Sequence, residues 1–98
     1  MPYTVNAQTF ARKSDVTAAA DAIREGTPIG EEVTGSDRDF VLALLAFHEE
    51  ADDKIRDGVT RLSTMRNAFG TVSFAITRSD GTSDDFSVGT CVRGLSND

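Results

Sequence analysis

Apolar residues in this chain switch between a helical and an extended spacing, and the switch divides it in two. Val16, Ala19, Ala20 and Ile23 fall at i, i+3, i+4 and i+7, which predicts one face of a helix over about Asp15 to Glu25. Ser14 is the expected N-cap and Asp15 suits the positive end of the helix dipole. Gly26 is expected to stop the helix in a left-handed conformation, with Pro28 barring a restart. Ser36 is expected to cap a second helix, with Asp39 answering in a capping-box manner. Phe40, Val41, Leu44, Leu45 and His48 share its broad apolar face, so this helix should lie in the core. It is expected to end in the acidic stretch 49–53, with Lys54 to Gly58 turning into a sheet.

Extended spacing brackets the helices. Tyr3, Val5 and Ala7 alternate loosely and predict a short first strand over 3–10. Val59 to Met65 reads as a strand of poor alternation, followed by a loop over 66–70. From Thr71 to Arg78 the alternation is clear, with Val72, Phe74 and Ile76 on one face. Ser79-Asp80-Gly81 then marks a hairpin. A two-residue turn would set Ala75 against Phe86 and mix core with solvent faces. A three-residue loop pairs Val72 with Val88 and Phe74 with Phe86, with Gly81 left-handed in a bulge. The expected fold is therefore α+β: a small antiparallel sheet of three to four strands, including a C-terminal hairpin, packed on two α-helices, as one domain over residues 1–98.

Charge is distributed unevenly over these halves. The net charge is −6. Residues 1–53 carry four basic against eleven acidic residues, and residues 54–98 carry six against five. The sheet-forming half is thus nearly neutral and arginine-rich. Its Lys54, Arg56, Arg61, Arg66, Arg78 and Arg93 are the candidate binding residues, able to offer charge to RNA phosphates or to an acidic protein. The longest apolar run, Phe40 to Phe47, is eight residues, far below the ~20 of a membrane span. The start of the chain lacks the pattern of a signal peptide, and Cys91 is the single cysteine, so no internal disulfide or cysteine zinc site is expected. That favours a cytoplasmic location.

No motif names a reaction. His48 is read as part of the apolar helix face, favoured near the C-terminal end of the dipole, in preference to a metal ligand with Asp52. Asp80 belongs to a turn, and Asp84 and Asp85 point to opposite faces of a strand, which argues against a metal site. Arg78 and Asp84 fall on one face and should form a cross-strand ion pair, worth ~0.2–1 kcal/mol if exposed. Asp85 shares the solvent face with Ala75 and Ser87. Cys91 is read as a buried small hydrophobe, and Ser87 lacks a nucleophile elbow. No cofactor and no small-molecule substrate are expected.

One ordered set of residues resembles a known family. It comprises Leu44-Leu45, His48, Lys54-Ile55, Gly58-Val59, Phe74 to Arg78, Asp80-Gly81, Asp85-Phe86-Ser87 and Cys91. It resembles the DCL family, named for the plant "defective chloroplasts and leaves" protein. The chain departs from that pattern at Arg56, where a glycine is expected, at Ser73, where a cysteine is expected, and at Val88, where a tyrosine is expected. The resemblance implies RNA biology without chemistry, since plant members act in ribosomal RNA maturation and a related domain ends the largest subunit of a plant-specific RNA polymerase. The expected function is therefore a non-enzymatic binding module associated with RNA or ribonucleoprotein. The alternative is a protein–protein adaptor, which the net acidity and the lack of exposed stacking aromatics suit.

Overall fold

The computed structural model describes residues 2–96. Strands β1 (Tyr3–Val5) and β2 (Gln8–Phe10) form a hairpin, followed by α1 (Lys13–Gly26), α2 (Gly35–Leu45) and the short α3 (Ala51–Ile55). A second sheet of β3 (Val59–Arg66), β4 (Val72–Arg78) and β5 (Ser83–Phe86) comes next, and α4 (Val88–Arg93) is the last element among the described residues. Both sheets are antiparallel, and the architecture is α+β.

The hairpin register is the one expected. Phe74 pairs with Phe86 and Ile76 with Asp84 across the three-residue loop, and Gly81 has φ 87°. The two rings stack with centroids 5.7 Å apart. They meet Leu62 and Ile76 from the sheet, Val16 and Ala20 from α1, and Phe40, Val41, Leu44 and Leu45 from α2. The apolar second helix is thus the centre of the core.

Several local expectations need correction. The segment 3–10 is two strands rather than one, because Asn6 and Ala7 take positive φ and reverse the chain. Ser14 and Ser36 lie inside their helices; Arg12 and Thr34 occupy the N-cap positions, and neither makes a side-chain cap bond. Gly26 is the last helical residue, and the following Thr27 is extended, its hydroxyl donating to the Ile23 carbonyl at 2.8 Å. The poor alternation of β3 has a cause: a bulge shifts the register between Val59 and Arg61. Val88 does not pair with Val72. It opens α4, whose Val88, Cys91 and Val92, with Leu95 beyond, are all buried at helical spacing.

The second helix also ends early. It stops at Leu45, and the Phe47 and His48 amides donate back to Leu44 and Leu45 in tight turns before α3 begins. His48 and Asp52 therefore do not share a helix face. At the end of α3, Arg56 adopts φ 49° and ψ −122°, a region that suits glycine. Its exposed guanidinium lies 3.8 Å from Asp80, a pair worth little. Arg56→Gly should therefore raise stability by about 1 kcal/mol, the relieved strain outweighing the added freedom of the unfolded chain. A denaturant midpoint that falls instead would show that the backbone there is not strained.

Candidate functional site

The sheet presents its two faces differently. Leu62, Phe74, Ile76 and Phe86 point to the core. The opposite face lies open as a shallow trough of about 490 Å³, lined among others by Arg61, Ser63, Met65, Ala75, Thr77 and Asp85. The β3 edge is closed by the α1–α2 loop, where the Gly30 and Val33 amides donate to the Thr64 and Leu62 carbonyls at 2.9 and 2.8 Å. The β5 edge is blocked by Lys54, whose Nζ donates to the Asp85 carbonyl at 2.8 Å. Binding along either edge is thus obstructed, and the open face is what remains.

A second hollow, of about 550 Å³, adjoins this face at its far end. His48, Lys54, Ser73, Asp85, Ser87 and Thr90 line it, with Asn67 to Phe69 from the β3–β4 loop. Asp85 borders both hollows. Phe69 is 92% exposed. Its loop is nevertheless held by hydrogen bonds: the Asn67 Oδ1 accepts from the Phe69 and Thr71 amides at 2.9 and 3.2 Å. This exposed ring escaped the sequence reading, which took 66–70 as a mere connection. The signal was a phenylalanine followed by glycine in a loop between two strands, off the alternation of either.

The six candidate cations do not converge on one surface. Arg78 is 5% exposed, and its three guanidinium nitrogens donate to the Lys54 carbonyl at 2.7 Å, the Thr82 hydroxyl at 2.9 Å and Asp84 at 3.0 Å. Lys54 Nζ donates to the same Asp84 oxygen at 2.9 Å. Arg78 is internal and Lys54 nearly so, both turned onto Asp84, and the expected Arg78–Asp84 pair is a partly buried three-membered network rather than a surface contact. Burial would push the Asp84 carboxyl up, but the Lys54 hydrogen bond, the Asp85 amide and the charges of Lys54 and Arg78 outweigh it and hold it below 3.8. Arg61 lies 3.9 Å from Glu32 and donates to the Gly30 carbonyl, Arg66 donates to the Gly70 carbonyl, and Arg93 to the Thr90 hydroxyl.

The remaining motif positions separate into structural and surface groups. Asp80 and Gly81 make the hairpin turn, Asp80 accepting from the Thr82 amide at 2.9 Å. Phe86 is core. Cys91 is fully buried, and burial pushes its thiol up to about 12, so no thiolate is available near neutral pH. His48 is buried and its Nδ1 accepts from the Glu50 amide at 2.9 Å. That bond orients the ring locally and puts the ring proton on Nε2. Among the described residues no hydrogen bond joins Ser87 to His48, and no group of three His, Cys, Asp or Glu side chains could hold a metal ion. No described helix is long and apolar enough to cross a membrane.

Fold and site together define a small α+β domain with one uncovered sheet face and an open cleft of mixed lining at its end. The chain belongs to the family described as Protein of unknown function (DUF3223), whose model matches residues 21–92. Its structure is similar to the solution NMR structure of an uncharacterized protein from Rhodospirillum rubrum, with a TM-score of 0.86 and 31% identity over 93% of this chain and 88% of that one. No curated protein matches. No catalytic family is indicated. The kinship with the DCL family is overturned by this assignment, and the reason is visible in the fold. Asp80-Gly81, Phe74 and Phe86 are what any hairpin of this register needs, while Arg56, Ser73 and Val88 break the pattern outside those needs.

Proposed function

We propose that this domain is a non-enzymatic protein-interaction module that binds its partner on the uncovered sheet face and the adjoining cleft. The observation that carries this reading is the solvent-facing ring of Phe69, on a hydrogen-bonded loop at the mouth of the cleft, with the exposed Met65 along the sheet face. An exposed aromatic held by an organised loop is the kind of side chain that supplies binding energy at a protein interface. The non-enzymatic reading is supported by the inert Cys91 thiol and by the missing link between Ser87 and His48. Dispersed cations, each engaged by an acceptor of its own chain, favour a protein partner over a phosphate backbone. A second reading, a single RNA strand stacked on Phe69 beside Arg66, is favoured by that one ring alone.

Phe69→Ser should leave the melting temperature within a degree or two, since the ring makes little contact, and weaken partner binding at least ~10-fold. Placing p-benzoylphenylalanine at position 69 and crosslinking in lysate identifies the partner. Protein adducts that survive nuclease are expected. Recovery of RNA, with affinity falling steeply as salt rises, would replace this reading with the second one.

A further inference from the structure

The two adjacent aspartates of β5 are treated very differently. Asp84 holds both Lys54 and Arg78. Asp85, half-buried on the open face, has only the Ser73 hydroxyl at 3.3 Å on its carboxylate, and among the described residues no lysine or arginine pairs with it. Lys54 reaches the Asp85 main-chain carbonyl instead. The cleft thus contains, beside the Lys54 amine that Asp84 and the Asp85 carbonyl already hold, a carboxylate that no cation pairs, at the mouth where Phe69 offers the negative face of a ring.

His48 supplies an independent pointer. It is 8% exposed and lines the same cleft. Its Nδ1 is occupied, while among the described residues Nε2 has no protein hydrogen-bond partner and is not among the atoms sealed from solvent. A proton on that nitrogen is available to an acceptor such as a peptide carbonyl. Beyond His48 the rim continues into Glu49, Glu50, Asp52 and Asp53, all exposed and none ion-paired among the described residues. This field repels phosphate and attracts cations, in keeping with the net charge of −6.

Resting on the interaction-module reading, we infer that the cleft takes a lysine or arginine side chain from an extended basic segment of the partner protein. The cation sits against the Asp85 carboxylate and the Phe69 ring, and a main-chain carbonyl of the same segment accepts from His48 Nε2.

The test titrates the 15N-labelled full chain with a short capped peptide alternating arginine and glycine, and with its glutamate counterpart. Amide shifts at Asp85, Ser87 and Phe69 and a side-chain shift at His48 Nε2 are expected with the arginine peptide alone. Asp85→Asn, which keeps the shape and an acceptor for Ser73, and Phe69→Ser should each weaken it at least ~10-fold without moving the melting temperature. Shifts confined to Glu49, Glu50, Asp52 and Asp53 and indifferent to Asp85→Asn would reduce the effect to bulk attraction and overturn the inference. So would the absence of any shift at millimolar peptide. The crosslink from position 69 separates the two levels. Protein adducts on acidic or apolar segments sink this inference and leave the interaction module standing, whereas RNA adducts sink both.

Discussion

Gly94→Ala is expected to destabilise the domain by about 3 kcal/mol, lowering the melting temperature by roughly 10–20 °C. Gly94 follows α4 and lies against the carbonyl of Phe47, in the turn after α2. A Cβ built on Gly94 would fall on that carbonyl oxygen. The obstacle is backbone, so no rotamer change relieves it. Either α4 swings outward, uncovering Cys91, Val92 and Leu95, or the turn carrying His48 moves. The entropy that alanine removes from the unfolded chain recovers at most ~1 kcal/mol, so the clash decides the sign. Gly89→Ala is the internal control. Its Cβ would meet only the Ser87 hydroxyl at 3.5 Å, and a neutral or slightly stabilising effect is expected within the same helix. Thermal melts of both variants check this. If Gly94→Ala melts like the parent, α4 does not dock as described.

Asp84→Ala is expected to cost about 2–3 kcal/mol near pH 7. It would leave the buried Arg78 guanidinium facing the Lys54 amine with no anion between them. Breaking a fully buried pair costs about 3–5 kcal/mol, and the smaller figure here reflects an Asp84 side chain 35% exposed. The effect should depend on pH with a definite sign. Unfolded, Asp84 titrates near 3.8; folded, it titrates lower. A depressed carboxyl contributes stability that is complete above its unfolded pKa and is lost as pH falls through its folded one. The gap between parent and variant should therefore hold down to about pH 4 and close below it. Urea midpoints measured for both proteins across that range test the claim, and a gap that widens in acid would refute it. The same substitution frees Lys54 from one of its two acceptors and loosens the β5 edge beside the cleft.

These two residues illustrate what was legible in the chain and what was not. The pairing of Arg78 with Asp84 followed from hairpin register alone. Its burial did not, because that depends on Lys54, thirty residues earlier, folding over the strand. Helix α4 had a signal in Val88, Cys91, Val92 and Leu95, but so short a segment has no helical stability of its own and reads equally as a continuing strand. Its conformation is settled by docking on α1 and α2, which buries Val88, Cys91 and Val92. Both N-caps shifted by two residues, to Arg12 and Thr34, and neither makes a side-chain cap bond. The kinship reading failed for a related reason: its strongest residues were those the hairpin itself requires. Phe69 could be seen as a loop residue but not as a ring left in water.

Alternation from Thr71 to Arg78, the glycine at position 81 and the apolar stripe of α2 were sufficient for the α+β class, the hairpin register and the central helix. Each of these is a periodicity within one element, and a period of 2 or 3.6 states directly which side of that element avoids water. Which charges lie inside, and that His48, Phe69 and Asp85 border one cleft, was decided by tertiary structure. Those relations join residues far apart in the chain, and their energies arise only when distant segments exclude water between them.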